Sequence, residues 1–331
     1  MKRAAVGSIA VAVILLAMAV IAEAQQPEKV YRIGYLTGRT NIGPNDEAFR
    51  RALRDLGYIE GRNLVIEWRF VGPNNPDRNS EFAVELVRLK VDCIVTVGLG
   101  LSRAAKQATN TIPIVMANVS DDPVRNKLID SLARPGGNIT GFTDIAHDLA
   151  GKRLELIKET LPKASRVAVL WYSSASPVVQ AKQLEETEIA ARPLGVRIQS
   201  LEVRSSEDFD HAFQMASKQR AEALIAVSFG GLLNNNQQKV VSLATNNRLP
   251  AMYTLSEFVE GGGLMSYAPD GPDRNRRAAG YVDKILKGTK PGDLPVQQPT
   301  KFEFIINLKA AKQIGLTIPQ SVLYQADKVI K

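Results

Sequence analysis

Two similar α/β lobes, each a doubly wound parallel sheet and the two joined by a hinge, are what the 331-residue sequence predicts. Three observations carry the prediction. Short apolar runs alternate with amphipathic helical stretches in the order β-α-β-α-β-α-β, the pattern of parallel strands joined by crossover helices. That pattern then restarts: Arg32-Ile-Gly-Tyr-Leu36 is matched by Arg166-Val-Ala-Val-Leu170, and each is followed by a Ser/Thr-rich loop and a helix ending in Leu-Gly (Leu56-Gly57, Leu194-Gly195). Finally, Val91 to Met116, which reads as strand, Gly-rich loop, helix and strand, is echoed by Ala221 to Tyr253, with Asn-Thr-Ile-Pro-Ile-Val-Met answered by Asn-Arg-Leu-Pro-Ala-Met-Tyr.

Residues 1–24 are set apart from the fold. Lys2 and Arg3 give a positive start, Ala4 to Ile21 an apolar run, and Ala22-Glu23-Ala24 a small-x-small cleavage site, the layout of a secretory signal. An uncleaved membrane anchor is the alternative, because about 18 apolar residues begin to span a bilayer. Periplasmic export with cleavage near Ala24 is the expectation. The chain is 45% hydrophobic and 23% charged, a globular composition, and its length suits two domains better than one core. The formal charge of +8 is spread along the chain without a Lys/Arg block interleaved with aromatics, so nucleic acid is not an expected partner. Cys93, the single cysteine, sits in an apolar strand pattern and reads as a buried small hydrophobe; no internal disulfide is available.

Taken in order, the strand at Arg32–Leu36 leads through the loop Thr37–Pro44 to Asp46, a helix start. Phe49, Ala52, Leu53 and Leu56 then fall at i, i+3, i+4 and i+7 on one helical face. Asn63–Phe70 alternates as a strand, and Glu81–Leu89 carries an amphipathic helix. After Val91–Met116, Asp121-Asp-Pro predicts a helix running to Ala133, stopped by Arg134-Pro-Gly-Gly-Asn138 before the strand Ile139–Phe142. The second copy begins with the helical face of Ala150, Leu154, Ile157 and Leu161. Beyond Tyr253 come a short helix, the strand Leu264–Tyr267, a long helix Asp273–Leu286, a last strand Lys301–Ile306 and a last long helix Leu308–Ile314. These surplus elements are read as the chain crossing back to the first lobe and again to the second. The expected lobes are therefore 30–143 with about 269–296, and 144–268 with about 297–331.

Ligands of open parallel sheets bind at the carboxyl ends of the strands, where loops lead into helix N-termini. Sorting the loops by that rule gives the candidate binding residues Thr37, Arg39, Gly98, Ser102, Asn118 and Asp121 in the first lobe and Tyr172, Ser173, Ser176, Ser228, Tyr253 and Asp270 in the second half. Hydroxyls, small residues, aromatics and a few carboxylates suit the holding of a zwitterion: backbone N–H groups for a carboxylate, an Asp for an ammonium, an aromatic face for a ring. A Ser or Asp before a helix is more often a cap than a contact, and Trp171 is as well placed for the core as for a ligand. Gly98-Leu-Gly-Leu-Ser-Arg103 lacks the third glycine of a dinucleotide fingerprint and lies on the third strand instead of the first. His147 and His211 read as helix residues. No Walker loop, no Gly-x-Ser-x-Gly elbow and no transition-metal ligand set occurs, so neither an enzyme nor a cofactor is expected.

Several stretches resemble one family. They are Ile112-Pro-Ile-Val115, Ser131-Leu-Ala-Arg-Pro-Gly-Gly-Asn-Ile-Thr-Gly141, Ile285-Leu-Lys-Gly288, Asp293-Leu-Pro-Val296, Gln298-Pro-Thr-Lys-Phe302 and Ile314-Gly-Leu-Thr-Ile-Pro319. With the secretory signal and the duplicated lobes, they resemble the ABC-transporter substrate-binding proteins whose characterised members bind aromatic amino acids. The resemblance covers about Tyr31 to Ile330. It implies a type I periplasmic-binding fold, three crossings between the lobes, ligand contacts in the interlobe cleft and an inner-membrane ABC permease as partner, with the receptor itself monomeric. A ligand sensor for a membrane signalling partner is the alternative role. The chain departs from the family pattern at Asn126-Lys127-Leu128-Ile129, where Gly-Leu-Val is usual, and at Met116, where Phe is common; both are expected near the cleft and bear on the ligand.

Overall fold

A computed structural model describes residues 29–72, 77–144, 149–172, 177–228 and 231–331, without side chains for 177–183. The segment 1–24 expected to be a secretory signal, and His147, Ser173 and Ser176, lie outside the described residues.

The first sheet is built from β1 (Tyr31–Thr37), β2 (Leu64–Phe70), β3 (Cys93–Val97), β4 (Ile114–Val119) and β5 (Ile139–Thr143), all parallel, in the order β2-β1-β3-β4-β5. Its crossovers are α1 (Pro44–Asp55), α2 (Asp77–Arg88) and α3 (Leu99–Ala108). Both faces of a parallel sheet are covered by helices, so the strands are apolar on both sides. In β4, Val115 and Ala117 pack with Phe49, Leu53 and Ile33, whereas Ile114 and Met116 face Leu36, Ala83 and Leu101 on the other side.

The second sheet contains β6 (Arg166–Tyr172), β7 (Arg197–Val203), β8 (Ala223–Val227), β9 (Ala251–Tyr253) and β10 (Met265–Pro269), extended by β11 (Phe302–Asn307) and β12 (Lys328–Ile330), in the order β12-β11-β10-β9-β8-β6-β7. Only β11 runs antiparallel to its neighbour β10. Omitting those two added strands, β7-β6-β8-β9-β10 repeats the order of the first sheet, so the duplication read from the sequence is a duplication of topology. The helices of this half are α4 (Leu149–Thr160), α5 (Pro177–Ala191), α6 (Asp208–Lys218), α7 (Leu232–Asn235), α8 (Gln237–Asn246) and α9 (Glu257–Glu260).

The long helix α10 (Gly271–Leu286) leaves the second sheet and packs back on the first, with Ala278, Ala279, Tyr281 and Val282 buried among Phe49, Leu53 and Phe142. Asp270 starts it by accepting from the Asp273 N–H at 2.9 Å, and Pro272 sits in its first turn. After a short 3₁₀ turn at Pro291–Asp293, Gln297 N–H donates to Gly141 O and the chain returns to β11, followed by α11 (Leu308–Gln313) and α12 (Gln320–Leu323).

Three expectations require correction. The helix expected from Asp121 to Ala133 is a run of turns. The Asp122 carboxylate takes the N–H groups of Val124 and Arg125, and Lys127 adopts a φ of 56°, so helical bonding is displaced by local side-chain bonds. The last long helix is the six-residue α11, ended by Gly315 at φ 73°. The final strand is β12, which follows the expected one by more than twenty residues.

Candidate functional site

In each sheet the strand order reverses beside the first strand of the copy, between β1 and β3 and between β6 and β8. Loops leaving the carboxyl ends at such a switch point diverge and leave a crevice. The two crevices face each other and form one cleft of about 830 Å³, measured with its open mouth. From the first lobe it is lined by Tyr35 and Thr37 of β1 with Gly38 and Arg39 after it, Asn45 and Asp46 of α1, Val97 of β3 with Gly98 after it, and Ala117, Asn118 and Ser120 on β4 and beyond it. Arg274 and Asn275 enter from the first turns of α10, Asp144 from the crossing, and Ser228, Gly231, Asn234 and Leu255 from the second lobe.

The lobes are in contact around this cleft. The Arg39 guanidinium donates to both Glu257 oxygens (2.8 and 3.3 Å), and Asn45 Nδ2 adds a third bond to the same carboxylate at 2.9 Å. Thr40 N–H donates to Asn235 Oδ1 at 3.2 Å. Gly231, at φ 76°, lies so close that a Cβ on it would stand 2.6 Å from Gly38 O. Behind Arg39, the buried Asp46 accepts from Tyr35 Oη and Gly43 N–H, each at 2.8 Å; burial nevertheless raises its pKa above the usual carboxylate range.

A second charge cluster lies at the crossing. Arg274 Nη1 donates to both oxygens of Asp144 (2.7 and 3.0 Å), and both side chains are more than nine-tenths buried. Burial raises the Asp144 pKa, while Arg274, and then Arg153, pull it down. Arg153 of α4 is itself buried; burial lowers its guanidinium to about 10, and its Nε donates to Tyr267 O at 2.9 Å. The cluster thus joins α4 of one lobe to α10 of the other through the crossing residue.

Five cleft residues carry a buried polar atom with no partner among the described residues: Asn118 Oδ1, Ser228 Oγ, Asn234 Oδ1, Arg274 Nε and Asn275 Oδ1. Native interiors hold few such groups, because each costs about 1–3 kcal/mol. Their concentration around one cleft, from both lobes, is the signature of a surface built to be completed by a polar small molecule.

Of the residues selected from sequence, Thr37, Arg39, Gly98, Asn118 and Ser228 line this cleft. Five others stand elsewhere. Ser102 is fully buried, bonded to Thr96 Oγ1 (2.8 Å) and Gly98 O (2.9 Å). Asp121 closes its own turn by accepting from Asp122 N–H and Asn126 Nδ2. Tyr172 belongs to the second lobe's apolar core, as does Tyr253, which stacks on Phe258 with ring centroids 4.9 Å apart. Asp270 caps α10 and pairs with Lys301 at 2.8 Å. Trp171 packs against the core and donates to Ser200 Oγ at 2.8 Å. Neither family departure lines the cleft: Met116 is buried in the first lobe, and Leu128 and Ile129 join the same apolar layer. Asp144, Arg274 and Asn275 were missed. A signal existed, since an arginine in a first helical turn opposes the helix dipole and so calls for a partner.

Two topologically equivalent α/β lobes closed over a polar cleft define a bilobal small-molecule receptor. The chain belongs to the ABC transporter substrate binding protein family, whose model matches residues 45–330. A tyrosine-binding protein of Clostridioides difficile (strain R20291) is 27% identical over 289 residues, 87% of this chain and 81% of that one. The structure described as the ABC domain in complex with L-Trp from Streptococcus pneumonia is 26% identical, covering 91% of this chain and 100% of that one, with a TM-score of 0.79. A ligand-free, open structure of a substrate binding protein with adhesive properties from Clostridium difficile is 25% identical, with coverage of 91% and 99% and a TM-score of 0.63. These relatives are binding proteins, and the fold is that of type I periplasmic binding proteins.

Proposed function

We propose that this protein is an extracytoplasmic receptor that closes its two lobes on an amino acid or a related zwitterion and hands it to a membrane ABC permease. The observation that supports the reading most is the set of unpartnered buried polar atoms contributed to one cleft by both lobes. A ligand that pairs with atoms on both sides favours the closed arrangement by its differential affinity, and the permease then has a distinct shape to recognise. The hinge in this reading lies at the three crossings, near Asp144, Asp270 and Pro299, with the lobes divided there. The cleft residues Arg39, Arg274 and Asp144, and Glu257 that pairs with Arg39, have roles in holding and positioning, and no chemistry on the ligand is required. The leader at 1–24 supplies export, and among the described residues no helix is long and apolar enough to cross a membrane. The relatives' ligands, tyrosine and tryptophan by their descriptions, support an amino acid as the class.

Thermal melting of the mature protein against a panel of the common amino acids tests this. A binder at about 100 times its Kd stabilises the fold by about 2.7 kcal/mol, and the melting temperature rises by several degrees. Folded protein that shows no shift with any member of the panel would count against the reading.

A further inference from the structure

We propose that Arg274 is the residue that receives the ligand's carboxylate, and that Asp144, with Arg153 behind it, is the positioning residue that aims it. The assignment rests on the reading of the cleft as an amino-acid site and adds to it a named anion receptor.

A guanidinium has five N–H donors arranged as a planar fork. When an Arg–carboxylate pair serves only to hold a fold together, two nitrogens commonly meet two oxygens in parallel. Here a single nitrogen, Nη1, serves both Asp144 oxygens, at 2.7 and 3.0 Å. Nε has no partner, and no bond from Nη2 occurs among the described residues. The Nε–Nη2 edge is the side of the fork that takes a carboxylate in two parallel bonds, and it belongs to a side chain only 8% exposed in the wall of the cleft. Across the cleft, the second lobe presents the Ser228 hydroxyl, also buried and unpartnered, as a further donor. The three unpartnered amide oxygens, on Asn118, Asn234 and Asn275, are acceptors for an ammonium group. Donors and acceptors of both kinds therefore surround one space, as an α-amino acid requires.

Asp144 does more than balance charge. It sits at the crossing between the lobes, beside the buried Arg153 that is anchored to Tyr267 O at 2.9 Å. Holding Arg274 through Nη1 leaves the other edge of the fork turned away from the ion pair. The anion-binding group is thus fixed to the hinge itself, and a ligand bound there reports to both lobes.

Titration calorimetry of the mature chain with L-tyrosine, L-tryptophan, L-leucine and L-glutamine, each beside its carboxamide, tests the assignment. At about pH 6, below the α-amino pKa of about 8, the amide keeps the side chain and the ammonium and removes only the carboxylate charge. The wild type is expected to bind at least one acid on the order of 30-fold more tightly than its amide. Arg274→Gln is expected to weaken that acid about 30-fold while leaving the amide within about threefold, so that the preference disappears. Arg274→Lys retains part of the preference, and Asp144→Asn reduces it without abolishing it. Because Arg274→Gln leaves Asp144 as a buried unpaired charge, the double variant Arg274→Gln/Asp144→Asn, checked for folding by its melting curve, is measured beside it. An acid-over-amide preference that survives in either variant overturns the assignment and leaves the amino-acid reading standing. A folded wild type that binds none of the common amino acids, these four and the rest of the melting panel alike, overturns both.

Discussion

Arg39 and Glu257 meet beside the cleft as a two-point ion pair, with Nη2–Oε2 at 2.8 Å and Nη1–Oε1 at 3.3 Å, between residues that lie on different lobes. In the proposed hinge closure the pair forms only when the lobes are together, so it stabilises that arrangement and not the lobes themselves. Burial works against the Arg39 charge, but Glu257 outweighs it and the guanidinium pKa is raised. Removing one partner of a fully buried pair costs about 3–5 kcal/mol, and the 16% exposure of Arg39 reduces this to about 1–3 kcal/mol after screening. Arg39→Ala is therefore expected to weaken ligand binding about 5- to 150-fold with little change in the melting temperature of the unliganded protein. Titration with the ligand found in the melting panel checks it; an unchanged affinity would show that the pair contributes nothing to closure.

Gly231 sets the closest approach of the lobes. Ala at this position places a Cβ 2.6 Å from Gly38 O and forces a side chain on a φ of 76°. The strain of that φ costs about 1–2 kcal/mol whether the protein is open or closed, but the clash arises only on closure. Gly231→Ala is expected to fold, melt a few degrees lower, and lose most of its ligand-induced stabilisation. Small-angle scattering should show a radius of gyration that no longer shrinks on adding ligand, and a normal contraction would refute the steric argument.

The pairing of Asp270 with Lys301 makes one crossing sensitive to acid. Burial pushes the Asp270 carboxyl up, yet the Lys301 ammonium at 2.8 Å and the Asp273 N–H outweigh it, and the pKa lies below the usual carboxylate range. A depressed pKa in the folded state stabilises the fold above the unfolded value of about 4 and loses that contribution as pH falls through the folded value. Asp270→Asn, which keeps the cap but not the charge, should be less stable than wild type at pH 6 and converge with it at low pH. Melting curves from pH 3 to 7 decide the matter, and a gap that is constant with pH would exclude the ion pair as its cause.

Cys93 is fully buried in β3, where burial, and then the nearby Asp92 charge, push its thiol well above the usual range. Thiolate is the reactive form. An aromatic disulfide reagent at pH 8 is expected to leave the native protein unmodified for hours and to label one thiol promptly in guanidinium chloride. Rapid labelling of native protein would mean that the first sheet opens locally.

Local pattern carried much of this architecture. Ile33, Tyr35 and Leu36, or Val167, Val169 and Leu170, are dense enough in β-formers to mark strands, and the repeated Pro-containing turns at Pro113 and Pro250 made the duplication visible. Sheet order and the antiparallel β11 were not legible, because a strand's neighbours are chosen by tertiary packing that no local period records. β12 is three residues long, too short to show alternation. At the cleft, loop position alone selected Thr37, Gly98 and Ser228 but could not separate them from Tyr253, whose ring turns into the core, or from Ser102, whose hydroxyl is spent on Thr96. The Asp144–Arg274 pair spans 130 residues and forms only when α10 returns to the first lobe.

That return also orders events during synthesis. Phe49 and Leu53 of α1 are buried against Ala278 and Val282 of α10, more than two hundred residues downstream. A nascent chain that has released β1 to β5 has α1 on this side of its sheet but still lacks the rest of the cover, while the second lobe's strands β6 to β10 are emerging. The amino-terminal lobe is thus first to be translated and cannot be first to finish, since its last wall arrives after most of its neighbour. High sequence separation of this kind slows folding, and it makes a chain that reaches through α10 the smallest unit able to complete the lobe with which it begins.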